Sequence, residues 1–171
     1  LGLASSDQNS PAAREERGQD ALVTEEQGWD ALATTLKCVW RFDPDPTAPK
    51  ENVSQYLGNR EVSPSNIKST PVFFENRLYV THGGDIWWGK NQAWLKCIDA
   101  TKTGEVTDSA LIWSCELGEH CCSTPAVHNG LVYVADCGRM IRCVDAATGQ
   151  VCWSHEAKGD IWASTLVADG K

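Results

Sequence analysis

The chain has 171 residues, 42% of them hydrophobic, and carries 23 acidic against 15 basic side chains for a net charge of −8. That length suits one domain with a sizeable core, while an acidic surface without any basic stripe repels phosphate backbones and argues against nucleic acid as a partner. No apolar run approaches the roughly 18 residues that a transmembrane segment requires, and no leader peptide is recognisable, although a chain cut from a longer protein would not keep one.

Residues 1–28 stand apart. Asp7, Glu15, Glu16, Asp20, Glu25 and Glu26 oppose only Arg14 and Arg17, a net of −4, and no strand alternation is present. The expectation is a loose, flexible acidic segment. Residues 29–42, with Leu36-Lys-Cys-Val-Trp40, read as the back half of a repeat unit, and a Pro- and Asn-rich connector follows over 43–68. Within it Asn52-Val-Ser54 fits a glycosylation sequon.

The next stretches say the same thing twice. Ser69-Thr-Pro-Val-Phe-Phe-Glu-Asn-Arg-Leu-Tyr-Val80 returns as Ser123-Thr-Pro-Ala-Val-His-Asn-Gly-Leu-Val-Tyr-Val134, 54 positions on. Each copy continues to a Cys-x-Asp phrase and a Trp: Cys97, Asp99, Gly104 and Trp113 in one, Cys143, Asp145, Thr148, Gly149 and Trp153 in the other. The two Trp lie 40 positions apart. Periods of this size built from short β-type runs signal propeller blades or a related array.

In the second copy the expected strands are Pro125–His128, Leu131–Ala135, Met140–Asp145 and Gln150–His155. Asn129-Gly130, Asp136-Cys-Gly138 and Ala147-Thr-Gly149 form the turns between them. The fold class is therefore all-β, an incomplete β-propeller of four-stranded antiparallel blades. Its units are 69–118, 119–158 and the start of another over 159–171. Against the second copy, the first has 8 extra residues between Tyr79 and Asp99, and 6 more before Trp113. Closed propellers have about four to eight blades, so the chain reads as part of a larger protein.

The eight Cys show no C-x-x-C pair, which leaves zinc-ribbon and thioredoxin-type readings without support. Cys97 and Cys143 occupy one repeat position and read as small core residues. Cys38, Cys115 and Cys152, beside the repeat Trp residues, read the same way. His120-Cys121-Cys122 is the most unusual local sequence. Its readings are a metal site completed by Cys115 or His128, a strained vicinal disulfide, or two thiols without redox function.

In a four-stranded meander the strand two–three loop and the connector leaving strand four emerge at one end of the sheet. The one–two and three–four turns emerge at the other. By that parity the 43–66 connector, Gly84–Trp88, His120–Cys122 and Gly159–Trp162 share one face. Its candidate binding residues are Asp85, Trp87, Trp88, His120, Cys121, Cys122, Asp160 and Trp162, with Trp94 as a further member of an aromatic rim. A plain packing role for both Gly-Asp-Ile-Trp turns is the alternative. Asp85 as a general base has no second group placeable beside it; no catalytic residue and no metal ligand set is assigned.

Cys143-Val-Asp-Ala-Ala-Thr-Gly-Gln-Val-Cys-Trp153 resembles the tryptophan-docking repeat of the pyrroloquinoline-quinone (PQQ)-like β-propeller superfamily, and Cys97–Trp113 resembles an expanded copy. The resemblance implies that Trp113 and Trp153 wedge between blades, with Asp99, Gly104, Asp145, Thr148 and Gly149 supporting them. That superfamily includes quinoprotein dehydrogenases, which carry a vicinal Cys pair beside their cofactor, and a scaffold for outer-membrane barrel assembly. The expectation is a binding or scaffold module of an exported, periplasmic or extracellular bacterial protein, with a protein partner or flat ligand on the loop-rich face and further blades beside it. The alternative is a piece of a quinoprotein dehydrogenase using PQQ and Ca²⁺, whose site would need several blades to enclose it.

Overall fold

Two neighbouring hairpins of the chain turn on residue pairs that both take positive φ, the type I′ geometry whose twist matches that of the flanking strands. Glu75-Asn76 has φ 48° and 61°, and Asn129-Gly130 has 49° and 75°; Asp169-Gly170 repeats the geometry at 50° and 70°. The computed structural model describes residues 37–171. The acidic 1–28 segment and the opening of the half unit, residues 29–36, lie outside the described residues.

Around those turns stand two four-stranded antiparallel sheets. The first orders β2 (Val72–Phe74), β3 (Arg77–Gly83), β4 (Ala93–Asp99) and β6 (Leu111–Leu117). The second orders β7 (Ala126–His128), β8 (Leu131–Ala135), β9 (Met140–Asp145) and β10 (Val151–Glu156). Equivalent residues hold equivalent places: Tyr79 pairs with Cys97 and Tyr133 with Cys143. Cys97 faces Trp113 as Cys143 faces Trp153, and the ladder shifts register beside each of these pairs. The chain is an incomplete β-propeller, and the sheets are successive blades.

The core lies between the sheets. Tyr79, Leu95, Cys97 and Trp113 of the first meet Val132, Val134 and Val144 of the second, all buried. Each such aliphatic contributes about 1.5–3 kcal/mol by leaving water. Cys97, Cys115 and Cys143 are core residues, but Cys38 and Cys152 are exposed. Cys38 precedes the first strand, and Cys152 sits at the register shift of β10, which no sheet covers among the described residues.

On the inner edge, the repeated Ser-Thr-Pro phrase stitches blade to blade. The Thr70 amide donates to the Thr124 hydroxyl (3.1 Å), and the Thr124 amide to the Ser164 hydroxyl (3.1 Å). Residues 159–171 form no strand, yet Thr165 donates to the Tyr133 carbonyl at 2.9 Å. Residues 37–42 likewise make no four-stranded sheet. β1 (Trp40–Arg41) pairs in parallel with β5 (Gly104–Glu105), inside the segment that is longer in the first copy. Trp40 and Phe42 thereby close a second small core over Val80, Ile98, Val106 and Ala110.

Candidate functional site

Besides the shared core and the Thr70–Thr124 bond, one carbonyl ties the two blades together. Asp145 accepts hydrogen bonds from the Ala147 amide (3.0 Å), the Thr148 amide (2.8 Å) and the Thr148 hydroxyl (2.8 Å). This Asx-type turn fixes the backbone and leaves the Ala146 carbonyl aimed at the preceding sheet. There it accepts the Trp113 indole N–H at 3.0 Å and an Arg77 guanidinium N–H at 2.6 Å. The Trp113 ring lies on Gly149. In the first blade Asp99 captures the amide and hydroxyl of Thr101 (2.9 and 2.6 Å), and Gly104 follows at φ +85°. Trp153 is the unsatisfied counterpart: 47% exposed, it touches Tyr133 at 6.2 Å as Trp113 touches Tyr79 at 6.0 Å.

The loop between β3 and β4 is built differently. The Asp85 carboxylate accepts the Trp87 and Trp88 amides at 2.8 and 3.1 Å, closing a tight turn. Gly84 is required there, because a Cβ would collide with the Lys90 backbone. The loop's carbonyls all face inward to donors. Lys68 and His120 meet the Gly84 carbonyl at 2.9 and 3.1 Å. Arg60 donates to Ile86 (3.2 Å), Trp87 (3.0 Å) and Gly89 (3.1 Å), and the Gly58 amide to Trp88 (2.8 Å). With the backbone saturated from within, the indoles can only point out: Trp87 is 62% and Trp88 57% exposed.

Burial opposes ionisation of Asp85, but the two amides and the Lys68 ammonium, 3.8 Å away, outweigh it and hold the carboxyl below its ordinary range. Trp162, from the segment after β10, comes within 5.8 Å of Trp87. Beside Trp88, a recess of about 420 Å³ is lined by Val53, Tyr56, Leu57, Pro64 and Asp85 among others. That volume falls in the range of small-ligand or anchor-side-chain pockets.

The structure thus brings together Asp85, Trp87, Trp88, His120 and Trp162. Asp160 is exposed on the segment that carries Trp162. Cys121 is buried, with its thiol donating to the Ala135 carbonyl at 3.1 Å, and Cys122 is half-buried; both thiols are free. Trp94 does not join the rim. It stacks on His82 at 5.3 Å beneath the Lys90 ammonium, inside a buried cluster in which Lys90 pairs with Asp45 at 2.7 Å. Cys115 lies in the core and His128 at the opposite end of its blade. Among the described residues no group of three or more His, Cys, Asp or Glu side chains is placed to hold a metal.

Arg60, Tyr56 and Leu57 escaped the sequence reading. Val53, Tyr56 and Leu57 follow helical spacing and form a short 3-10 turn at Val53–Tyr56, which is the one signal that could have drawn attention to them. Arg60, in a stretch without periodicity, gives none.

Residues 31–170 match the family model described as outer membrane protein assembly factor BamB. No curated protein matches the chain significantly. Among the solved structures that match is BamB from Moraxella catarrhalis, 14% identical, over 65% of this chain and 42% of that one, with a TM-score of 0.33. The chain thus spans less than half the length of that structure.

Proposed function

The chain belongs to the family described as outer membrane protein assembly factor BamB, and from that premise we propose that it is the scaffold module of a larger exported protein, binding a protein partner through the aromatic face. Membership supports the scaffold reading over the dehydrogenase alternative. The observation that carries the choice of face is the Arg60-buttressed loop.

One guanidinium holds three carbonyls of the loop and so fixes the two neighbouring indoles in place while they stay exposed. Exposed Trp is costly in water and is enriched where partners dock. Trp87, Trp88 and Trp162 would supply the desolvated centre, the recess beside Trp88 an anchor pocket, and Asp85 and Asp160 a polar rim. The family's printed description, outer membrane protein assembly factor, supports a partner concerned with outer-membrane proteins and a periplasmic location.

A photo-reactive amino acid placed at Trp88 or Trp162 in the full-length protein, in its native cells, tests this. Adducts to a defined partner are expected from both positions and none from His128 at the opposite end of the blade. Equal or exclusive labelling from His128 would overturn the assignment.

A further inference from the structure

Cys122 lies in the connector that enters β7, and Cys137 opens the turn between β8 and β9. The Cys137 amide donates to the His120 carbonyl at 2.7 Å, so the connector runs alongside the strand end. That pairing sets the Cys122 and Cys137 side chains near one another, close enough for the Cys122 sulfur to bear on the Cys137 thiol. Cys121, the residue before Cys122, is buried, with its sulfur on the Ser123 and Ala135 carbonyls. Both Cys122 and Cys137 are partly exposed. From this juxtaposition we propose that Cys122 and Cys137, rather than the vicinal pair, form a dithiol–disulfide site that responds to a small-molecule disulfide such as oxidised glutathione.

The exchange balances simply. The Cys122 thiolate attacks one sulfur of oxidised glutathione, expelling one glutathione thiolate and forming a mixed disulfide. The Cys137 thiolate then attacks the Cys122 sulfur, expelling the second. Two protein thiols are oxidised, one glutathione disulfide is reduced to two thiols, and the two cysteine protons end on the released glutathiones. Burial, and then the neighbouring Cys122 sulfur, hold the Cys137 thiol above its ordinary range. Cys121 is kept out of the exchange by its burial, which denies a small-molecule disulfide access to its sulfur.

The bond would fasten the connector that carries His120, whose ring meets the Gly84 carbonyl of the aromatic loop at 3.1 Å. Cys143 and Cys152 are also neighbours across β9 and β10, but Cys143 is wholly buried.

The test is equilibration of the full chain in a glutathione buffer, alkylation of remaining thiols and mass mapping of the peptides. We expect loss of two of the eight thiols and a peptide joining Cys122 to Cys137. Cys121→Ser should behave as the parent, Cys122→Ser should keep all its thiols, and Cys137→Ser should lose one, as a mixed disulfide between Cys122 and glutathione. Far-UV circular dichroism checks that each variant keeps its strands, so failure of one variant to fold leaves the other decisive. A Cys121–Cys122 or Cys143–Cys152 bond, or no bond in the folded parent, would overturn the proposal.

Discussion

Gly149 does two jobs that can be separated. Its φ is +77°, and a Cβ would sit 2.7 Å from the Trp113 ring; Gly130, at φ +75°, faces open space. Gly130→Ala therefore bears only the left-handed backbone strain, about 1–2 kcal/mol, whereas Gly149→Ala also expels the indole. We expect urea unfolding to show the larger loss for Gly149→Ala, and equal losses would refute the docking geometry. Trp113→Ala should cost about 3–5 kcal/mol, as for a buried aromatic, while Trp153→Ala, at a half-exposed ring, should cost well under half of that. The turn was legible because Asp145, Thr148 and Gly149 act within one hairpin. The Trp113 dock, 33 residues from its carbonyl, was legible only through the repeat, and Trp153, expected to wedge in the same way, stands 47% exposed. The sequence misled on Cys38 and Cys152, because a residue beside a core Trp is buried only where another layer covers it.

Elements joined by buried charge respond to pH. The 43–50 segment is pinned to the first sheet by Asp45, which accepts hydrogen bonds from Lys90, Ser65 and Thr47. Next to it, His82 has both ring nitrogens buried without partners. Burial, then the charges of Lys96 and Lys90 acting against Asp45 and Asp43, pushes its pKa from 6.5 down to about 4. The unfolded chain binds this proton first, so stability is full above about pH 6.5 and falls as pH drops toward 4, by roughly 3 kcal/mol in total.

Asp45, held far below its ordinary range although burial alone would raise it, adds a separate loss below about pH 4. His82→Asn should flatten the upper window and leave the lower one, read from denaturant midpoints across pH; an unchanged upper slope would refute the assignment. Strand positions in the second copy were legible to within a residue, since alternation and Asn-Gly or Thr-Gly turns are local signals. The β1–β5 pairing was not, because parallel partners more than 60 residues apart leave no mark in either segment.

At the scale of the whole molecule the two faces of the stacked sheets differ. One side of the second blade packs on the first. The other presents Tyr133, Trp153 and Leu166 along a groove of about 670 Å³, with no Gly–carbonyl dock for the Trp153 indole. Such a face hides from water by association. Sedimentation velocity should show oligomers growing with concentration, and a strict monomer at high concentration would contradict that. The convergence of loops on one end was foreshadowed by strand parity, which assigns every loop of a meander to an end. Which side chains hold that end together was not, since Arg60 acts through carbonyls whose direction only folding sets.

The most direct test of the binding face is Trp87→Ala together with Trp88→Ala in the full-length protein. Both indoles are exposed and the loop backbone is held by Arg60, Lys68 and Asp85, so thermal unfolding should stay cooperative with little change in Tm. Partner affinity should fall at least 100-fold, the size expected for two central aromatic anchors. Unaltered affinity in a folded double variant would contradict the account.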